Sequence, residues 1–209
     1  MTVRLYDYFR SSACYRVRIA LNLKGIAYET IDTSLLDGAQ LSPEYKAMNP
    51  QGFVPMLEVD GQRFTQSIAI IEWLDSYAPE PRFIPTDPAK RARQMALALT
   101  IACDIHPLNN LRVLKYLGSR LDADETARDD WYRHWVSAGF DALEAMANSN
   151  APFLGGDAPG IADICLVPQM YNARRFTTPL EAYPNLVRID AACTALEAFA
   201  RAHPDAAKA

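Results

Sequence analysis

The chain has no pair of cysteines at the spacing of a metal knuckle or a redox motif. Its 4 cysteines, Cys14, Cys103, Cys165 and Cys193, stand far apart and form no CxxC or CxxH, which argues against a disulfide framework and a structural zinc site. It also lacks positive excess: 21 Lys and Arg against 25 Asp and Glu leave a net charge of −4, so no global field favours sequence-independent binding of nucleic acid. No apolar run approaches the roughly 18 to 20 residues of a membrane span. Arg4, Asp7 and Arg10 interrupt the region where a secretory signal would need its apolar core. The expectation is a cytoplasmic protein.

What is present is ample core material. The 209 residues are 50% hydrophobic and 22% charged, the balance of a soluble globular chain with one large domain or two small ones.

The stretch that organises the sequence is YFRSSACYRVRIALNL, from Tyr8 to Leu23. Upstream, the β-branched and aromatic residues of Val3 to Phe9 read as a short buried strand. Downstream, Val17, Ala20, Leu21 and Lys24 share one face at helical spacing. Between them lie Arg10, Ser11, Ser12, Ala13 and Cys14. Hydroxyls there can cap the open amides of the helix start, and the same amides and dipole favour an anion or a developing thiolate. On this turn Cys14 is the cysteine to test for reactivity; the other three sit in apolar helical patterns and read as small core residues.

Farther on, Gly25 suits a helix C-cap and Ala27 to Ile31 a second strand, giving a β-α-β opening. A short helix is expected over Ser42 to Met48. Asp60 and Gly61 separate two short strands, Met56 to Val59 and Gln62 to Phe64, as a hairpin turn does, with Pro55 at the tolerated first position. A helix then runs from Gln66 and Ser67 to about Tyr77. Prolines 79, 81, 85 and 88 mark a linker, and everything beyond reads as helical. One long helix is expected from Pro88 to Leu121, bent at Pro107 and carrying the polar group CDIHPLNNLR. A second spans Asp129 to Met146 with Trp131, Trp135, Phe140 and Leu143 inward. A third starts at Ile161, with Asp163 taking backbone amides, and ends at adjacent Arg174 and Arg175, of which one at most can face a pocket. The last covers Pro184 to Phe199, followed by a frayed tail. The expected domains are 1–78, a linker over 79–87, and an all-helical 88–209.

This order of elements resembles the cytosolic glutathione transferases over nearly the whole chain, and RSSACYRVRIAL resembles their zeta class in particular. NPQGFVP, QS-AIIEWL, CDIHPLNN, ADICLVPQ and RRF extend the match. The resemblance implies an α/β thioredoxin-like N-terminal domain plus an all-α C-terminal helical bundle, with glutathione as cofactor and a homodimer as assembly. It implies a cis Val54–Pro55 bond, pairing of the Val54 backbone with the cysteinyl part of glutathione, and capture of its γ-glutamyl end by Gln66 and Ser67. Ser11 matches the residue that bonds the glutathione sulfur, with Ser12, Ala13 and Cys14 in the same turn. Gln40, His106, Asn110, Leu111 and Arg112 match further glutathione positions. Two departures stand out: Ala13 occupies the usual cysteine position, one residue before Cys14, and Gly160 replaces the usual Ser or Thr cap.

Zeta enzymes are maleylacetoacetate isomerases, with maleylpyruvate isomerases among bacterial relatives. A thiolate that adds to the activated alkene turns the double bond into a single one, permits rotation, and leaves unchanged. Such chemistry needs a thiolate near neutral pH, which Ser11 and the helix dipole favour. It also needs cations for a dicarboxylate and for the charge formed on addition. Arg10, Arg112 and Arg175 are the candidates for the carboxylates. Two other readings are a glutaredoxin-type thiol transferase using Cys14 and a protein that binds ligands without turnover.

Overall fold

The computed structural model describes residues 2–208 and divides the chain into two compact units, 1–83 with 195–209 and 84–194. The first unit opens with strand β1 (Val3–Asp7), helix α1 (Ser12–Leu23) and strand β2 (Glu29–Asp32). After a 3-10 turn at Ala39–Leu41 come helix α2 (Pro43–Met48), strands β3 (Met56–Val59) and β4 (Gln62–Thr65), and helix α3 (Ser67–Tyr77). The sheet has the order β2-β1-β3-β4, with β1 parallel to β2 and antiparallel to β3. A parallel neighbour requires a crossover, and α1 is that crossover. An antiparallel pair needs only a tight turn, supplied by Asp60 at φ 48 and Gly61 at φ 85, the doubly positive pattern that matches strand twist.

Apolar residues close this unit: Leu5, Val17, Ile19, Leu21, Met56, Leu57, Ile70 and Ile71 are fully buried. Helix α1 has no outward face to speak of, since Arg16 and Arg18 are buried along with its apolar residues. The reason for Arg18 is visible. Its Nη1 donates to both Asp7 oxygens at 2.7 and 2.9 Å, Nη2 to the Phe9 carbonyl at 2.8 Å, and Nε to the Ala202 carbonyl at 3.0 Å. A guanidinium fork satisfied on all sides can be buried where an isolated cation cannot.

That last bond explains the first correction. Helix α9 (Glu197–Ala202) packs against α1 and helix α10 (Pro204–Ala207) against α9, both within the first unit, although the sequence reading placed them in an all-helical 88–209. Asn22 also donates to the Ala198 carbonyl, and His203 meets the Tyr15 ring edge-on. The tail expected to fray therefore contains a short helix with Pro204 buried, and the expected last helix ends at Thr194.

In the second unit the single bent helix is two: α4 (Pro88–Leu99), followed by a π-helical stretch at Thr100–Ile105, then α5 (Leu111–Arg120). Asp87 caps α4 through the Lys90 amide at 2.8 Å. The His106 amide donates to the Ile101 carbonyl, the five-residue reach of a π turn, and Pro107 then ends the run. Helices α6 (Glu125–Met146), α7 (Ile161–Arg175) and α8 (Pro184–Thr194) complete this unit. The buried face of α6 is Tyr132, Val136, Phe140 and Leu143. Trp131 and Trp135 were expected there and are only half-buried: the Trp131 indole reaches sideways to the Leu108 carbonyl at 2.9 Å. Among helices of the described residues none is long and apolar enough to cross a membrane.

Candidate functional site

The strand directions gather three loops at one end of the sheet. The C-terminal end of β1 leads into the Tyr8–Ser11 turn. Because β3 runs antiparallel to β1, pairing Tyr6 with Met56, the start of β3 and the Val54–Pro55 bond lie at that same end. Strand β4 then returns, pairing Thr65 with Met56, and delivers Gln66 and Ser67 beside them. Packing ties the loops together, since Tyr8, Cys14, Val54 and Met56 share one buried cluster with Tyr45.

Ser11 is the N-cap of α1. Its Oγ accepts from the Cys14 amide at 3.3 Å. A hydroxyl that accepts still has its own hydrogen to donate, so Ser11 can cap the helix and donate to an anion together. Ser12 is the first helical residue and is buried, so of the pair Ser11 carries the greater exposure. Ala13 is half-buried. Cys14 has no exposed surface, and burial, with the nearby Asp7 charge, pushes its thiol well above the ordinary range. It is inert by both criteria, against the expectation that it was the cysteine worth testing. Cys103, expected in the core, is the exposed one.

The Val54–Pro55 bond is cis, and Val54 stands outside the β3 ladder, which begins at Met56. The turn before it is held by the Phe53 carbonyl, which accepts from Tyr45 Oη at 2.6 Å and Asn49 Nδ2 at 2.8 Å. Gly52 is required there: its φ is +64, and a Cβ would come within 3.1 Å of the Gln40 carbonyl. Gln40 thus borders this turn, and its Oε1 is buried without a hydrogen-bond partner among the described residues.

Gln66 is the N-cap of α3 at φ 67, a conformation that costs a non-glycine residue energy, and its side chain offers no bond to the first-turn amides. It is held instead by Gln51, 2.6 Å from its Nε2. The amides at the start of α3 therefore remain available for an anion. Ser67, buried at 5% exposure, accepts from Arg16 Nη1 at 3.3 Å. The sequence reading did not assign Gln51 or Arg16. The signal for Arg16 was an arginine inside a helix too apolar to spare it a wet face.

Arg10 is exposed, its guanidinium 5.0 Å from the Phe9 ring centroid, with no carboxylate partner among the described residues. The remaining candidates lie on the second unit. Asn110 Oδ1 accepts from the Arg112 amide at 3.1 Å, capping α5, so this asparagine repairs the broken ladder. Its neighbour Asn109, absent from the expected site, is buried and donates to the Tyr132 carbonyl. His106 is half-buried, and Leu111 and Arg112 are exposed. Of the arginine pair, Arg174 is engaged with Asp190 at 2.7 Å. Arg175 stays exposed against the Tyr171 and Phe176 rings and donates to Asn172 at 3.3 Å.

Residues 10–76 match the family described as glutathione S-transferase, N-terminal domain. The maleylacetoacetate isomerase of Rhizobium meliloti (strain 1021) is 48% identical over 206 residues, which span 98% of this chain and 97% of its own. A solved maleylpyruvate isomerase, described as a bacterial glutathione S-transferase in the zeta class, superposes with a TM-score of 0.96 at 46% identity over 98% of each chain. The chain belongs to the zeta-class glutathione transferases. Another solved structure, the maleylacetoacetate isomerase of Anaeromyxobacter dehalogenans 2CP-1, is 43% identical with a TM-score of 0.88, over 99% of this chain and 96% of its own. That structure holds dicarboxyethyl glutathione and citrate in its active site. The thioredoxin-like unit and the helical unit are thus those of the family.

Proposed function

We propose that this protein is a glutathione-dependent cis-trans isomerase that converts maleylacetoacetate to fumarylacetoacetate. The observation that carries the reading is the gathering of Ser11, the cis Val54–Pro55 bond and the open start of α3 at one end of the sheet. Those residues fit glutathione on this structure's own terms. The start of α3 offers amides and Ser67 to a carboxylate, the Val54 backbone lies free of the β3 ladder for peptide pairing, and the Ser11 hydroxyl retains a proton to donate.

When bound, glutathione supplies the thiolate that adds to the alkene, allows rotation and departs unchanged. Ser11 donates to the sulfur, and the dipole of α1 favours the anion at the same place, together lowering the thiol below its free value of about 8.5. Gln66, Ser67, Val54 and Gln40 hold the tripeptide on the first unit, and the family resemblance assigns His106, Asn110, Leu111 and Arg112 of the second unit to glutathione as well. Ser12, Ala13 and Cys14 form the floor of the thiol turn, Cys14 through packing. Arg10, Arg112 and Arg175 bind the carboxylates of the diacid and stabilise the charge that develops during addition.

The enzyme works as a homodimer in the cytoplasm. In support of the dimer, the stacked rings of Phe64, Trp73 and Tyr77 form an aromatic ladder beside the edge strand β4, with Tyr77 49% exposed. A second reading, maleylpyruvate as the preferred diacid, is favoured by the 0.96 TM-score to a maleylpyruvate isomerase.

The test is steady-state turnover of both diacids with and without glutathione, in wild type and Ser11→Ala. Isomerisation should require glutathione and fall by about 100-fold or more in the variant, the usual weight of one donor to a developing anion. The ratio of kcat/KM values names the substrate. Turnover that needs no glutathione would sink the reading.

A further inference from the structure

The first unit holds a cavity that the isomerase reading does not use. It has a volume of about 400 Å³ and lies between α1, the chain leading into β2, and the tail helices α9 and α10. That volume is within the range of small-molecule sites. Its α1 residues, Arg18 and Asn22, follow Ser11 by two and three helical turns, roughly 10 to 17 Å along the axis. None of its lining residues is assigned to glutathione or to the diacid.

The walls are fixed. Asn22 donates to the Ala198 carbonyl and Arg18 Nε to the Ala202 carbonyl, each at 3.0 Å. These two bonds bracket Arg201, which lies between their acceptors on α9 and faces the cavity.

The charges do not balance. Arg18 brings none to spare, because Asp7 answers it at 2.7 and 2.9 Å. Arg201 is exposed and has neither an ion pair nor a hydrogen bond among the described residues. No Asp or Glu lines the cavity among those residues, and Glu29, beside it in the chain, is taken by Arg4 at 3.0 Å. One cation is left unanswered. Tyr28 adds a donor, since it is half-buried on the same wall and its hydroxyl has no partner among the described residues. Burial raises its phenol, against the pull of Arg18 and Arg201, so the O–H is present at neutral pH. Beyond these groups the wall is apolar, formed by Ile26, Ala27, Ala206 and Ala207.

We propose that this cavity is a second ligand site, separate from the glutathione site, which takes a small monocarboxylate with an apolar body. The Arg201 guanidinium and the Tyr28 hydroxyl hold the carboxylate, and the body lies against the alanine and isoleucine wall. A single unanswered cation matches a single negative charge, and the planar fork of arginine suits a carboxylate. A doubly charged ligand would bring more charge than the cavity answers, and a wholly polar one would leave the apolar wall unused.

The experiment is calorimetric titration of the full-length protein with benzoate and 3-phenylpropanoate, beside benzamide as the neutral analogue. Dicarboxyethyl glutathione, which a solved relative holds in its active site, is present in excess. At least one carboxylate should bind at one saturable site, and benzamide should bind roughly 10- to 100-fold more weakly than benzoate, the scale of a charge-assisted bond. Arg201→Gln should weaken the carboxylates by about tenfold or more and Tyr28→Phe by a smaller factor, while Arg201→Lys restores part of the loss. In methyl spectra of alanine-labelled protein, benzoate should shift Ala27, Ala206 and Ala207. No saturable binding of either carboxylate, equal affinity for benzamide, or affinity unchanged in Arg201→Gln would each overturn the proposal, as would methyl shifts confined to other alanines. Should Tyr28→Phe fail to fold, Arg201→Gln decides alone, since it alters an exposed side chain. Displacement of benzoate by dicarboxyethyl glutathione would place it in the active site and equally overturn the proposal.

Discussion

The starts of α3 and α7 solve the same problem in opposite ways. Every helix begins with amides that lack an intrahelical acceptor. At α7 the chain supplies its own anion: the Asp163 carboxylate accepts from the N-cap amide of Gly160 at 2.9 Å and ties in the amides of the preceding loop, Leu154 at 2.7 Å and Gly155 at 2.8 Å. Cys193 adds its thiol at 3.8 Å. At α3 the chain supplies a cation, Arg16, that donates to Ser67, and among the described residues no acid in the first turn. A closed start stiffens the fold, whereas an open one leaves its amides to water or a ligand. Gly155 underlines the first case, since a Cβ there would come against the Ala158 carbonyl and the Gly160 amide.

Opening the closed start should have the largest effect. Asp163→Ala leaves buried amides unpaired, each costing about 1 to 3 kcal/mol, so the denaturant midpoint should fall by an amount equivalent to about 3 kcal/mol or more. Calorimetric affinity of the surviving folded protein for glutathione should stay near wild type, because Asp163 belongs to the other helix start. A stability change under about 1 kcal/mol would show that the closed start is not what holds this turn.

A second contrast lies within α1, whose start carries both a donor and a sealed thiol. Burial raises the Cys14 thiol, so the unfolded chain ionises it from about pH 8.5 while the folded chain holds it neutral. The stability contributed is complete below that pH and declines as pH rises toward the raised folded value. The stability difference between wild type and Cys14→Ala should therefore decline above pH 8.5 by up to about 1.4 kcal/mol per pH unit. Under native conditions iodoacetamide should label Cys103 and spare Cys14, which mass spectrometry reads directly. Rapid native labelling of Cys14 would revive the redox reading.

The smallest effect belongs to the α5 start, a conventional cap. Asn110→Ala should cost about 1 kcal/mol, measured by thermal melting. A much larger loss of glutathione affinity than of stability would show that Asn110 serves the ligand as well as the helix.

Much of the first unit was readable because its signals are local. Asp60-Gly61 dictates a hairpin through backbone sterics, Ser11 dictates a helix start, and Pro43 and Pro88 mark first helical turns. The helical unit was read less well for the same reason. Pro107 announces a break, but whether the ladder bends or stops depends on Asn109 and Trp131 finding carbonyls across a helix pair. The inward face of α6 was misread because tryptophan is large and apolar in composition, yet its indole N–H also seeks an acceptor, and Trp131 found one off the core.

By itself the sequence determined the order of elements as far as α3, the hairpin turn, the family and the hydroxyl turn at Ser11, because each rests on chain-neighbour geometry or on a run of matched residues. Tertiary structure alone decided that Cys14 is sealed, that α9 returns to α1 through Arg18 and Asn22, and that Arg16 is buried against Ser67 with no counter-ion among the described residues. Burial and charge pairing are properties of what surrounds a residue from every side. A sequence shows only the neighbours on either side along the chain.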